Sequence, residues 1–577
     1  METEGDNLLG NTIILPNGGK GVVIAQRFPM IFVLCDSAVN ADKIDKDLEN
    51  TCDFKILSTA ASIGVGDFLF GTTVDSNSNP VHVCDDGTVK DLKKIEEMGE
   101  HFVDRALFAP TPNVADIALI DSPLLTGYLM VDSLVPIGKG QNMLVIGEGC
   151  NDSDVEGVGQ RDFLIGTLKT QLAEATKNGR STKCVYALTT ADPNVRLQVI
   201  QQLTDANLMD KIVVVTSRLS KSQSIESEDL VSFAAEGIAV AATACAIGEA
   251  FAISKGDDSL VIVDNIDQHK AFWDWTTRIL VKVYGVDAVV KADIEGGASS
   301  EMRAFYSDLI QRAGRFKKEK GGGSVTLTLV TNLPGAFGGE EEDKIVFSPS
   351  DFDNSSEKVK ERISILSKKG IPLIPVNLRK IQIPVPVSSD TEKERRFALQ
   401  HLDDLISMSD GQIWLDEKLY KKGQRPAVDP QRSITRVGVG ADIKCRPDAP
   451  AMQSVATGLR FEFAQAVGLE GAGANSGVDK QILKKNAYLF AMNQNSDNVR
   501  LLSENCVALL ASSLGLLDKY VQNDGCFDQD VKLKVIQELL AHVRQSIPET
   551  MDEIDETLEL TSSMQSEVES VIKQFFS

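Results

Sequence analysis

Basic residues are scarce in this chain: 59 Lys and Arg stand against 83 Asp and Glu, a formal charge of −24. A surface of that sign gives nucleic acid or an anionic membrane no general foothold, and it favours solubility. The Cys-x-x-Cys pair is absent. Nine cysteines at positions 35, 52, 84, 150, 184, 245, 445, 506 and 526 are scattered, which supports neither a zinc site nor a disulfide framework and favours a reducing compartment. Histidine is rarer, with five isolated residues that make no metal cluster. A membrane-spanning run is also missing, because the most apolar long segment, Val231–Ser254, is interrupted by Glu236 and Glu249 and reads as a buried helix. The opening METEGDN shows no signal or transit pattern.

At 577 residues the chain needs two to four domains. Up to about residue 95, six short β-branched runs (Thr12–Leu15, Gly21–Ile24, Ile31–Leu34, Phe54–Ser58, Phe68–Val74 and Val81–Cys84) are separated by turn signals. That spacing predicts a small barrel or sandwich. Apolar strands at Met143–Ile146, Lys183–Leu188, Lys211–Thr216 and Leu260–Asp264 then alternate with helical stretches near 162–177, 192–205 and 227–254. The alternation predicts a parallel sheet flanked by helices, and 326–332 adds another strand. An irregular tract over 334–403 reads as an insertion, with an acidic run at Glu340–Asp343, a Pro-alternating segment at 371–387 and a charged patch at 391–396. From about 450 onward helical periods dominate. The fold class expected is α/β: a β-barrel over 1–95, a parallel-sheet core over 96–445 and a helical domain over 446–577.

Strand, Gly-rich loop and helix around Gly147 form the frame of a phosphate-cradling loop, in which backbone N–H groups and a Lys hold phosphates. The required pattern, Gly-x-x-x-x-Gly-Lys-[Ser/Thr], sets its glycines five apart. Here the best-fitting pair, Gly147 and Gly159, stands twelve apart, with Gln160 and Arg161 in place of the Lys and the hydroxyl. Asp152, Asp154 and Glu156 in the enlarged loop would repel a polyphosphate.

Local segments then point to a family. VDSLVPIGKGQ (131–141), VGDFLFGTTVDSNSNPV (65–81), the tract 184–217 and CAIGEAF (245–251) resemble, in order, segments of the alpha subunit of the F1 sector of ATP synthase. The most specific matches are ISMSDGQIWL (406–415) and RPAVDPQRSITRVG (425–438). The resemblance covers nearly the whole chain apart from 334–403 and the enlarged loop, and it implies a RecA-like core.

That family's alpha subunit is the non-catalytic partner in an alternating hexamer. The resemblance therefore implies a hetero-oligomer with a catalytic beta-type subunit and a central-stalk subunit, peripheral to the membrane through the complex. The compartment implied is the matrix side of the mitochondrial inner membrane, with the chloroplast as alternative. The cofactor implied is ATP or ADP with Mg, and the departures at 160 and 161 make retention of any nucleotide an open expectation. Arg436 matches the arginine given in trans to the beta-type site, where it stabilises charge on the transferred phosphoryl group; capping a strand end is its other reading. Asp264 matches the Walker B carboxylate, against a solvated or capping Asp. Ala191 stands where the beta-type subunit has its water-activating glutamate, so hydrolysis by this chain alone is not expected. A free-standing scaffold that kept the fold is the competing function, and an ATPase with an unfamiliar phosphate loop is the third.

Three further features have structural expectations. Trp273 and Trp275 read as packed helix residues, the basic cluster Arg315–Lys320 as a solvated helix end, and the acidic stretch Met551–Glu569 as a soluble helix face.

Overall fold

The computed structural model describes residues 8–14, 19–27, 30–35, 55–92, 102–148, 157–178, 182–219, 229–285, 298–333, 401–437, 451–456, 458–469, 476–521 and 529–577, with scattered positions between 352 and 373. Four of the six short amino-terminal runs form β1 (Asn11–Ile14), β2 (Lys20–Arg27), β3 (Met30–Cys35) and β4 (Lys55–Ala60), an antiparallel sheet ordered β3-β2-β1-β4. Next, β5 (Ser62–Val65) pairs with β9 (Val103–Ala106). The remaining two expected strands do not join the first four. They become β6 (Thr73–Val74) and β7 (Pro80–Val83), and with β8 (Val89–Asp91) they extend the central sheet. The six runs expected to make one small barrel or sandwich therefore divide: four pair in one sheet and two extend the central sheet. Asp75 makes the difference: its carboxylate accepts the N–H groups of Asn77 (2.9 Å) and Asn79 (2.7 Å) and pairs with Arg218, which follows a central strand. Alternation identifies a strand but does not say which sheet it joins.

After the short pair β10 (Pro123–Leu124) and β11 (Ile137–Gly138) come the uninterrupted apolar runs that need cover on both faces. These are β12 (Asn142–Gly147), β13 (Lys183–Leu188), β14 (Val213–Thr216) and β15 (Asp258–Asp264), joined by β16 (Gly314–Arg315), β17 (Ser324–Asn332), β18 (Gly411–Trp414) and β19 (Ile434–Thr435). The path across the sheet is β19-β18-β12-β17-β15-β13-β14-β6-β7-β8, with β16 beside β17. Pairing is parallel for β18/β12, β17/β15, β15/β13, β13/β14 and β14/β6, and antiparallel at both edges.

The described helices of this half are α1 (Leu129–Leu134), α2 (Gln160–Asn178), α3 (Pro193–Asp205), α4 (Asp229–Ser254), α5 (Asp267–Tyr284), α6 (Ala298–Ile310) and α7 (Glu417–Lys421). From α4, Val231–Ser254 is long and apolar enough to cross a membrane, yet it is almost wholly buried against the sheet. Its two acids are satisfied internally. Glu236 accepts from Ser76 Oγ (2.8 Å), and Glu249 accepts from Arg312 Nε (2.6 Å) and Arg105 Nε (3.0 Å). In α5, Trp273 is buried beneath the Arg27 guanidinium, 3.7 Å from its ring centroid, and Trp275 packs edge-on against Phe32.

The carboxy-terminal helices are α8 (Ala451–Ala456), α9 (Leu459–Leu469), α10 (Ser476–Met492), α11 (Leu502–Ser513), α12 (Gln529–Ser546), α13 (Pro548–Thr557) and α14 (Ser562–Phe576). They share one apolar interior with the sheet: Met143, Val145, Leu188 and Ile413 belong to the same cluster as Phe490, Leu509 and Ile572. Along α13 and α14 the acids Glu553, Glu556 and Glu567 face outward while Met551, Ile554, Val568 and Ile572 are buried. The basic cluster is only in part a solvated helix end: Lys318 and Lys320 are exposed in a single 3-10 turn, Lys318–Lys320, while the residues before it are tied down. Arg315 lies in β16 and pairs with Asp121 (2.8 Å), and Lys317 donates to the Ala115 carbonyl (2.7 Å), so the cluster fastens 115–121 to the sheet. Asn332–Ser407 is a separate compact unit with its own small cluster of Phe352, Ile363 and Leu373. The acidic run, the charged patch and all of the Pro-alternating segment but Leu373 lie outside the described residues.

Two outcomes test this packing. Arg312 is 2% exposed and also donates to the carbonyls of Leu107 (2.9 Å) and Ala242 (3.0 Å). Removing one partner of a buried pair costs about 3–5 kcal/mol, so Arg312→Met should lower the denaturant midpoint by that equivalent at unchanged slope. Burial raises the carboxyl of Asp132 in α1 from 3.8 to about 6, against the opposing pull of the hydrogen bonds from Thr126 and Gly127. Its folded-state value lies above its unfolded one, so its contribution to stability is complete below about pH 4 and is lost as pH rises through 6. Asp132→Asn should flatten the stability profile between those values, as read from chemical unfolding at several pH values.

Candidate functional site at the carboxyl edge of the sheet

In an open parallel sheet, ligand chemistry gathers outside the carboxyl ends of the strands. Here that edge brings together the end of β12, the start of α2, the end of β13 and the end of β15. The chain reaches α2 through Gly159, whose φ of +90° is a left-handed conformation that favours glycine. Gly147 is required by close approach, because a Cβ there would lie 2.5 Å from Gln160 Nε2 and 2.8 Å from Val158 Cγ2.

Gln160 and Arg161, the first two residues of α2, both turn inward. The Gln160 side chain is fully buried; its Oε1 accepts the Val158 N–H (2.8 Å) and its Nε2 donates to the Glu148 carbonyl (3.2 Å). The carboxamide thus uses a backbone donor of the kind a phosphate oxygen would take. The partial positive charge of the helix start is met by Asp162 in the first turn, whose carboxylate also accepts the Ser496 N–H (3.2 Å).

Asp264, ending β15, is neither solvated nor a helix cap. It is 1% exposed and holds Arg161 as a two-pronged pair, Nε to Oδ2 at 2.7 Å and Nη2 to Oδ1 at 3.3 Å. Tyr186, on the neighbouring strand β13, donates its hydroxyl to Oδ2 at 2.7 Å. As arranged, both carboxylate oxygens are engaged and a cation already sits against them. Magnesium needs open oxygen ligands, and no guanidinium shares its first sphere; these residues do not fit a magnesium nucleotide. Among the described residues no cluster of three or more His, Cys, Asp or Glu could hold a metal ion. Ala191, just beyond β13, is buried and offers only a methyl group, while its neighbour Thr189 donates its hydroxyl to the Asn265 carbonyl (2.8 Å). Asp152, Asp154 and Glu156 lie outside the described residues.

Arg436 is elsewhere. It follows the edge strand β19, is exposed, and donates from its backbone to the Asp410 carbonyl (2.8 Å) and from Nη1 to the Ser409 carbonyl (2.7 Å). Asp410 in turn accepts from the backbone (3.0 Å) and side chain (2.9 Å) of Asn142, the first residue of β12. Burial raises the Asp410 carboxyl, while the Asn142 N–H and the Arg436 charge pull the other way. Arg436 therefore stands at the amino edge of the parallel strands and Asp264 at the carboxyl edge, roughly 17 Å of strand away. The structure groups Gly147, Gly159, Gln160, Arg161 and Asp264, and leaves Arg436 apart.

The model for the ATP synthase alpha/beta family, nucleotide-binding domain, matches residues 127–336. Over those residues the chain resembles that family, and along nearly its whole length it is similar to alpha subunits. ATP synthase subunit alpha of Rickettsia bellii (strain OSU 85-389) is 22% identical over 574 residues, covering 98% of this chain and 89% of that protein. The Orientia tsutsugamushi (strain Ikeda) subunit alpha is 23% identical over 575 residues, with the same coverage. That of Mycoplasmopsis synoviae (strain 53) is 26% identical over 404 residues, 70% of this chain and 55% of that protein. The matched domain contains every member of the buried cluster, while Arg436 lies beyond it.

Sequence reasoning on the alpha-like chain noted residues 160, 161 and 264 singly and missed Tyr186. The signal was available: a basic residue opening a helix that faces an acid ending a buried strand calls for a pair. The absent Lys alone forfeits a charge-assisted contact of about 1.5–3 kcal/mol. Isothermal titration of the purified chain with ATP and magnesium should accordingly give no sub-micromolar dissociation constant.

Proposed function

We propose that the alpha-like chain is a non-catalytic subunit of an F-type ATP synthase, with a degenerate nucleotide site of its own and an arginine donated to a neighbour. In this reading its amino-terminal strands close into a barrel and its carboxy-terminal helices form the third domain. Its partners are a catalytic beta-type subunit and the central stalk. It meets the membrane only through the complex, on the matrix side of the mitochondrial inner membrane. Ala191 supports the absence of turnover, since a methyl group neither orients nor deprotonates water.

The observation that carries the proposal is the position of Arg436. An exposed guanidinium at the opposite sheet edge from its own Asp264 has no reach to that site, so any phosphoryl group it serves belongs to another chain. Such an arginine contributes on the order of 10³–10⁵ in rate. In a complex purified with a beta-type subunit, Arg436→Lys should reduce turnover by about 10³-fold or more while subunit stoichiometry is unchanged, because Lys lacks the planar fork. Parental turnover in that variant, or failure of the tagged chain to co-purify beta-type and central-stalk subunits from native membranes, would favour the scaffold.

A further inference from the structure

We infer that Arg161 and Gln160 together imitate the ligand of this site: the Arg161 guanidinium is a built-in substitute for the divalent cation at Asp264, and the Gln160 carboxamide oxygen stands in for a phosphate oxygen. The inference rests on reading the cluster as the family's nucleotide site. It adds that the site was refilled from within, so it holds its shape with neither metal nor nucleotide.

Three observations carry it. The cation is placed where a cofactor cation would be needed, on the carboxylate that ends β15, and it meets both oxygens (2.7 and 3.3 Å) with Tyr186 as a third partner (2.7 Å). The acceptor is placed where an anion would be needed, on the Val158 N–H just before α2 (2.8 Å). The two substitutes are adjacent in sequence and almost wholly enclosed, Gln160 at 0% and Arg161 at 3% exposure. An enclosed carboxylate left without a cation is strongly destabilising, so loss of the metal and gain of the arginine are coupled changes. Gly147 leaves room for the Gln160 amide, since a Cβ there would lie 2.5 Å from it.

The test uses the purified full chain and thermal unfolding. Wild type should show no change in Tm on adding millimolar magnesium chloride beyond that caused by sodium chloride of equal ionic strength. Arg161→Met should lower Tm by about 3–5 °C, and magnesium should recover part of that loss where sodium does not. The double variant Arg161→Met, Asp264→Asn should recover stability without magnesium and ignore it when added. A single variant indifferent to magnesium would overturn the inference. Should Arg161→Met not fold, electron paramagnetic resonance of manganese added to the wild type decides. No bound signal is expected, and bound manganese that Asp264→Asn abolishes would overturn the inference. Magnesium rescue in a chain that co-purifies no beta-type subunit would leave this inference standing and remove the proposed function. Manganese bound to a wild-type chain that does assemble would do the reverse.

Discussion

A parallel sheet covered on both faces can place polar chemistry only where its strands stop, and the architecture of this chain follows from that constraint. The four central strands β12 to β15 are buried almost without break, so side chains that are to act or to be held must emerge at one edge or the other. The carboxyl edge collects Asp264, Arg161, Gln160 and Tyr186 into an enclosed and mutually satisfied group. The amino edge presents Asn142, Asp410 and Arg436, of which the arginine is exposed. One edge has turned inward, its charged groups paired with one another, and the other faces out.

Buried acids in this strongly acidic protein meet arginine repeatedly. Asp264 has Arg161, Glu249 has both Arg312 and Arg105, and Asp75 has Arg218. Each pair joins segments far apart in sequence. The guanidinium suits the task because its planar array of donors can serve a carboxylate and carbonyls at once, as Arg312 does. Arg196 serves carbonyls in the same way: wholly buried, it donates to those of Gly87 (2.6 Å) and Leu219 (2.7 Å) and so ties two loops together. The scarce positive charge is spent inside as well as on the surface.

Elements governed by local pattern were legible in the sequence. The run Lys183–Leu188 is a strand with the expected ends, and the helix expected near 192–205 runs from Pro193 to Asp205 behind an Asp192 cap, because an apolar run and a capping residue state their structure locally. What depends on distant partners was not legible. Thr73–Val74 looks like the strands before it, and only Val214 and Val215, its partners in β14, decide its sheet. Arg315 looks like part of a solvated cluster until Asp121 is brought beside it. At the site, the departures at 160, 161 and 191 were visible as missing chemistry. That two of them supply chemistry of another kind required the hundred-residue separation between Arg161 and Asp264 to be closed.

The apolar interior that runs from β12 through α11 to α14 bears on how the molecule opens to solvent. Because Val145 and Ile572 line one continuous cluster, the last helix is a wall of the same chamber that the phosphate-loop strand occupies. Exchange-protected amides in β12 and in α14 then belong to a single opening unit. Water reaching the backbone at one end of that chamber arrives with the loss of the other, so drift in the final helix is constrained by the strand that begins the site.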